Sequence, residues 1–216
     1  MIISIMQPYF LPYLGYFQMV NAVDRFVFYD DVNYIKGGWI NRNFLGDGLF
    51  TIPLIKSSSF KKINEIEINW LSRDIIKLEK RIKQNYSKTP NFKVVFQIIE
   101  SIFDERPKLI SDLCSESVVK FSKYLNIDTE FITSSELKYE RFSDKESTLI
   151  GLCKQLNASH YINPIGGIDL YDKKNFKDHD IKLSFIKGIA SKSILDVCMQ
   201  NEKNQIILQL DKYELV

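Results

Sequence analysis

The chain opens on a short unbroken apolar run, Ile2-Ile3-Ser4-Ile5-Met6, the pattern expected of a strand buried on both faces. Gln7 to Pro12 reads as a turn-rich loop and Leu14 to Ala22 as a helix. Arg25-Phe26-Val27-Phe28-Tyr29 follows as a second strand, ending in Asp30-Asp31. Strand, helix and strand at this spacing form a βαβ unit, whose crossover makes the strands parallel and the connection right-handed. Asn33 to Asp47, rich in Gly, Asn and Lys, reads as a loop. Leu49 to Ile55 and Glu65 to Asn69 read as further strands of antiparallel type. The period then changes. Leu71, Ile75, Leu78 and Ile82 recur at helical spacing, and Pro90 opens a second such stretch through Phe103. A third, after Pro107, uses Leu109, Leu113, Phe121 and Leu125. The last third alternates again, with strands over 128–133, 160–162 and 181–185 and helices over 145–156, 193–199 and about 204–210. The prediction is one α/β domain over 1–216. Its central, mainly parallel sheet is flanked by helices, and 71–126 is inserted as a helical subdomain.

Composition narrows the function classes. The 216 residues carry 29 Lys+Arg against 27 Asp+Glu, a formal charge of +2 spread along the chain, which predicts no field strong enough for nucleic acid. At 45% hydrophobic and 26% charged the chain has enough apolar surface for a sizeable core, which excludes disorder and coiled coil. Met1 to Val23 contains no charged residue, yet no Lys or Arg precedes the apolar run and no small-residue cleavage site follows it. Pro8, Pro12 and three tyrosines interrupt it. The expectation is a cytoplasmic protein without membrane insertion. Cys114, Cys153 and Cys198 are far apart and odd in number. They predict buried thiols in a reducing compartment, not disulfides or a zinc site.

Candidate chemistry gathers at the predicted strand ends, where open parallel sheets bind ligands. Gln7 and Tyr9 follow the first strand and Asp30-Asp31 the second. Ser134-Ser135-Glu136 follows the strand at 128–133, and Asn163-Pro164 with Gly166-Gly167 the one at 160–162. Adjacent carboxyls after an apolar strand suit a cation or a proton acceptor, and equally a turn or a helix cap. Side chains of neighbouring residues diverge, so one of the pair faces a site, with Asp30 the better placed. In Tyr34 to Asn43, Lys36 and Arg42 supply cations, Asn41 and Asn43 amides, Trp39 a stacking face and Gly37-Gly38 room for backbone N–H groups. That set suits a phosphate or carboxylate on a ring-bearing substrate, and a solvated hairpin loop as well, but matches no nucleotide-loop motif. Ser143 and Glu146 have capping-box spacing. His160, beside a strand end, is a candidate base, while His179 lies in a charged surface run. Ser134-Ser135 lacks the elbow sequence of a hydrolase nucleophile.

Met6-Gln7-Pro8-Tyr9-Phe10-Leu11-Pro12-Tyr13-Leu14-Gly15-Tyr16-Phe17, Phe28 to Tyr34 and Trp39-Ile40-Asn41-Arg42-Asn43 together resemble the WbqC-like family. Lys145-Glu146, Tyr161 to Tyr171 with Gly166-Gly167, and Ser193-Ile194-Leu195-Asp196 extend the likeness over nearly the whole chain, although Asn163-Pro164 departs from the glycine-containing turn expected there. The resemblance implies a bacterial cytoplasmic protein encoded among genes for O-antigen or other surface polysaccharides. It implies acyl or aminoacyl transfer to the amine of a nucleotide-linked amino sugar. On that reading Asp30, Gln7 and His160 are the catalytic candidates. Tyr9, Asp31, Lys36, Trp39, Asn41, Arg42, Asn43, Ser134, Glu146, Tyr161, Gly166 and Tyr171 contact the substrate, and no metal site is assigned. Neither the acetyl-CoA loop nor the hexapeptide repeat of common acyltransferases occurs. The cofactor is left open among ATP, CoA and a metal, and so is the oligomeric state, a homodimer included. The opening order also resembles nucleotidyltransferase-like amide ligases such as pantothenate synthetase, with Pro12-Tyr13-Leu14-Gly15-Tyr16 where their HxGH signature stands. A non-catalytic partner of polysaccharide enzymes is the remaining alternative.

Overall fold

Runs of apolar residues two apart on each face make the central strands, and the computed structural model, which describes residues 1–46 and 48–216, gathers them in one six-stranded sheet. Its strands are β1 (Ile2–Met6), β2 (Arg25–Phe28), β7 (Glu130–Thr133), β8 (His160–Pro164), β9 (Lys182–Lys187) and β10 (Glu214–Leu215), in the order β10-β9-β8-β1-β2-β7. All neighbours pair in parallel except β10, which runs antiparallel to β9. Counting only this sheet's strands in chain order, the arrangement is 3-2-1-4-5-6 across the sheet. The order reverses between β1 and β8.

The two faces bury different partners. Phe26, Phe28, Ile162 and Ile186 point into the larger core, with α1 (Leu14–Asn21), α7 (Ile194–Gln200) and α8 (Lys203–Leu210). Ile3, Ile5, Val27, Tyr161, Leu183 and Phe185 point the other way, against α5 (Lys145–Gln155) and α6 (Lys173–Lys177). Between β2 and β7 lie two small antiparallel pairs, β3 (Arg42–Leu45) with β4 (Gly48–Thr51) and β5 (Leu54–Ile55) with β6 (Glu67–Ile68). The helices α2 (Arg73–Tyr86), α3 (Phe92–Asp104) and α4 (Ile110–Tyr124) come next. Ile75, Leu78 and Ile82 of α2, Val95 and Ile99 of α3 and Leu113 and Phe121 of α4 join the same core cluster as Phe17 and Phe28, so the inserted helices and the sheet share one interior.

Several local expectations change. The segment read as a loop over 33–47 contains β3, and Asp47 lies outside the described residues. The expected strand over 49–55 breaks at Pro53, which has no N–H to give a ladder. The N-cap of α5 is Asp144, which accepts from the Ser147 N–H at 2.6 Å, rather than Ser143. Glu146 instead accepts from the Asp172 N–H at 2.8 Å and from the Asn175 amide at the start of α6. Cys114, Cys153 and Cys198 are buried free thiols, and burial pushes the pKa of each upward. No helix among the described residues is long and apolar enough to cross a membrane.

Candidate functional site

The loop that leaves β1 is stitched to the segment that enters β3. Phe10 N–H donates to the Ile40 carbonyl at 2.9 Å, and Asn43 Nδ2 donates to the Leu11 carbonyl at 2.7 Å. Leu11 sits at φ 50, a left-handed conformation held from both sides, since its own N–H reaches Ser117 Oγ at 3.3 Å. Arg42 ties the next turn: Nε donates to the Gly38 carbonyl at 2.8 Å and Nη2 to that of Gly37, while the guanidinium lies 5.4 Å from the Trp39 ring centre. Arg42 therefore holds Trp39 in place.

These loops wall a cavity of about 530 Å³ at the carboxyl end of the sheet. Tyr9 and Pro12 line it from the β1 loop, Pro164, Ile165 and Gly166 from the end of β8, and Ile186, Gly188, Ala190 and Ser191 from the end of β9. Trp39, Asn43 and Phe44 form the opposite wall, and Tyr13, Gly15 and Met19 come from the start of α1. The cavity thus spans the switch between β1 and β8, where sheets of this order leave a crevice. Its floor is backbone against backbone, because a Cβ on Gly188 would lie 2.8 Å from the Gly15 Cα. A Cβ on Gly166 would meet nothing within 4 Å, so that stretch of wall faces open space. The first α1 amides are occupied: Leu14 N–H donates to Ser191 Oγ at 2.9 Å and Gly15 N–H to the Ile189 carbonyl at 3.2 Å. Burial, and secondarily Tyr13, pushes the Tyr9 hydroxyl up to about 12, so it stays protonated near neutral pH. The surface offered to a ligand is therefore aromatic and largely uncharged.

A second cluster stands at the same end of the sheet, after β2 and β7. Asp30, buried, accepts from Ser134 Oγ at 3.0 Å, Ser135 N–H at 3.1 Å and Ser135 Oγ at 2.7 Å. Asp31 accepts from the Ser134 hydroxyl, from Tyr139 at 2.9 Å and from Arg141 Nη2 at 2.5 Å. Arg141 also donates to the Asp31 carbonyl at 2.7 Å and lies over the rings of Tyr29 and Tyr139. Burial works against ionising Asp31, but the hydrogen bonds from Arg141, Ser134 and Tyr139 outweigh it and hold its pKa below the usual carboxylate value. A depressed folded-state pKa stabilises above the unfolded value and is lost as pH falls through the folded one. Arg141→Gln is accordingly expected to cost about 1–2 kcal/mol near neutral pH. The gap from the parent should close as the pH drops below the carboxylate range, in urea melts run from pH 7 to pH 2. On α4, Asp112 lies near enough to Asp30 to feel its charge. Partial burial raises its pKa against a hydrogen bond from Ser111 at 3.1 Å, and the Asp30 charge adds a smaller upward push. Among the described residues no group of three or more His, Cys, Asp or Glu could hold a metal ion.

Of the expected site residues, the cavity collects Tyr9, Trp39, Asn43 and Gly166, and the second cluster collects Asp30, Asp31 and Ser134. Gln7 is half-buried between β1 and the cavity loop, and its carbonyl accepts from Tyr16 at 2.9 Å. Others have different duties. Asn41 is buried with both ends of its amide engaged, by Tyr34 and by the Ile52 carbonyl, each at 2.8 Å. Tyr161 is fully buried and stacked on Phe176. Tyr171 is half-buried, packed edge-on against the same ring, Glu146 braces the start of α6 through Asp172 and Asn175, and Lys36 is exposed. His160 must be moved. It pairs with Ile2 at the first residue of β8, about 13 Å along the strand from Pro164, and its ring meets Ser184 Oγ at 2.9 Å. Strand direction puts it at the opposite end of the sheet from the cavity. Sequence reasoning missed Tyr13, Gly188 and Ser191 in the cavity and Tyr139 and Arg141 beside Asp31. A glycine directly after an apolar strand was the available signal for Gly188; the others carry none.

The chain is 29% identical over 190 residues to the uncharacterized protein Rv1507c of Mycobacterium tuberculosis (strain ATCC 25618 / H37Rv), a match covering 85% of this chain and 80% of that one. No solved structure matches the chain. The model of the WbqC-like protein family matches residues 7–207, which takes in the cavity loops, the inserted helices and all of the sheet except its strands β1 and β10. This chain belongs to the WbqC-like protein family.

Proposed function

We propose that the chain is an enzyme of bacterial surface-polysaccharide synthesis that forms an amide on the amine of a nucleotide-linked amino sugar. The observation that carries this reading is the cavity of about 530 Å³ at the strand-order switch, with Tyr9, Tyr13, Trp39 and Phe44 offering flat aromatic faces to a ring. The polysaccharide context is what the resemblance to the WbqC-like family implies. In the reaction the amine nitrogen attacks an acyl or aminoacyl carbonyl, and the N–C bond forms. The bond to the donor's leaving group then breaks, the leaving group keeps the electron pair, and the amine gives up a proton. Gln7 is suited to donate from its amide to the oxyanion. Asp30, just past the end of β2 at the same end of the sheet, would accept the proton.

The test is ligand binding followed on Trp39. The chain has two tryptophans, and Trp70 is tied to the Pro107 carbonyl at 2.8 Å, so Trp70→Phe leaves Trp39 as the only indole. UDP-, dTDP- or GDP-linked amino sugars are expected to quench Trp39 and raise the melting temperature. Trp39→Ala should weaken binding about tenfold, the usual worth of one stacked ring. A full panel that neither quenches nor stabilises would reject the reading. One observation favours a second reading, an ATP-dependent ligase: sheets with this strand order bind nucleotides at the switch point. There an acid, ATP and the amine would yield amide, AMP and pyrophosphate. Pyrophosphate release that depends on both acid and amine would select it.

A further inference from the structure

Among the described residues, the wall of the cavity at the strand-order switch holds no Asp, Glu, Lys, Arg or His. Arg42, Lys187 and Lys192 adjoin wall residues in the chain without lining the cavity, and Arg42 is committed to the carbonyls of Gly37 and Gly38. The amide and the aliphatic hydroxyl in the wall are engaged within the protein. Asn43 donates to the Leu11 carbonyl at 2.7 Å and accepts from the Phe44 N–H at 2.8 Å. Ser191 accepts from the Leu14 N–H at 2.9 Å and donates to the Lys192 carbonyl at 2.8 Å. The side-chain groups left for a ligand are the hydroxyls of Tyr9 and Tyr13, which make no hydrogen bond to the described residues, and the Trp39 indole. Burial raises the pKa of both tyrosines, so the hydroxyls are neutral donors near pH 7.

Exposure falls from the mouth to the interior. Trp39 is 46% exposed and Phe44 40%, whereas Met19 and Ile186 are 1% and 3% exposed and Pro12 is also buried. A diphosphate carried into that interior would lose its water and meet no cation. A nucleobase or a bare sugar has several donors and acceptors, and most of them would go unpaired there. A hydrocarbon group has none to satisfy and gains by leaving water.

We propose that the interior of the cavity receives an uncharged, apolar acyl group, the one that becomes amide-linked, while the sugar ring stays at the mouth against Trp39 and the phosphates stay outside. The proposal rests on the reading of the chain as an amide-forming enzyme and narrows its donor. A branched aliphatic or aromatic acyl group suits the wall; an aminoacyl group with a free ammonium, or one ending in a second carboxylate, does not. The Tyr9 and Tyr13 hydroxyls can serve the one carbonyl oxygen that such a group carries.

The probes are N-isoheptanoylglucosamine, N-glutarylglucosamine, in which a carboxylate replaces the isopropyl end, and N-acetylglucosamine. Each is titrated against the Trp70→Phe chain by Trp39 fluorescence and against the unaltered chain by thermal shift, so the comparison does not hang on the substitution. The isoheptanoyl compound is expected to quench saturably with a dissociation constant of roughly 100 μM. The glutaryl and acetyl compounds should each bind at least about tenfold more weakly, the first for burying an unpaired charge and the second for leaving the interior unfilled. UDP at about 1 mM should not displace the isoheptanoyl compound. Equal binding of the glutaryl or the acetyl compound, displacement by UDP, or no quenching up to about 10 mM would overturn the proposal. If sugar nucleotides bind while the three probes bind alike, the amide-forming reading survives and the acyl assignment falls. If the probes rank as expected and no sugar nucleotide binds, the sugar-nucleotide reading falls and the apolar acyl site stands.

Discussion

Gly188→Ala is expected to lower stability by about 3 kcal/mol, a fall of roughly 6–12 °C in melting temperature for a chain of this size. The added Cβ would lie 2.7 Å from Gln18 Oε1 and 2.8 Å from the Gly15 Cα, with the Gly15 carbonyl at 3.3 Å. A clash with the far end of a long side chain is usually relieved by rotation, but Gln18 is held at every polar atom. Its Oε1 accepts from the Ile189 N–H at 2.6 Å, and its Nε2 donates to the carbonyls of Gln209 and Lys212 at 2.7 and 2.9 Å. The other neighbour is backbone at the start of α1. Relief must therefore come from moving the end of β9 away from α1, which opens the cavity floor. Thermal melts check the first effect, and loss of ligand-induced Trp39 quenching checks the second. A variant as stable as the parent would show that β9 and α1 are not in this close contact.

Asp30→Ala is expected to cost about 2 kcal/mol, because it removes the acceptor of the Ser135 N–H and of the Ser135 hydroxyl, while the Ser134 hydroxyl keeps Asp31. Asp30→Asn retains an acceptor for the Ser135 N–H and fills the same volume, so its cost should stay near 1 kcal/mol. As the proposed proton acceptor, Asp30 should also be needed for the reaction, so Asp30→Asn should abolish turnover once a substrate is in hand. An Asp30→Asn variant that kept its full rate would leave Asp30 an anchoring role alone.

How much of this could be read beforehand follows from the range of the forces involved. β1 and β2 were legible because strands buried on both faces must be continuously apolar, and α2 to α4 because their apolar residues keep helical spacing. β3 was not: it starts Arg42-Asn43, whose side chains serve the turn before it and the loop beside it. α6 has a single buried residue, Phe176, so no period exists to detect. The cavity draws on four separated stretches of chain, and only the strand order brings them together. The cavity and the Asp30 cluster both lie at strand ends, as the sequence predicts, yet His160 shows that the sense of a strand matters as much as its position. Arg141 sits in a polar segment and is singled out only by where Asp31 and Tyr29 come to rest.

The spread of the cavity wall has a consequence for synthesis on the ribosome. Tyr9, Tyr13 and Trp39 emerge early, but Pro164 to Gly166 and Gly188 to Ser191 follow more than a hundred residues later. A nascent chain lacking the last strands has no pocket to offer. Whatever small molecule fills it can act only on the finished product, favouring completed copies over truncated ones by mass action.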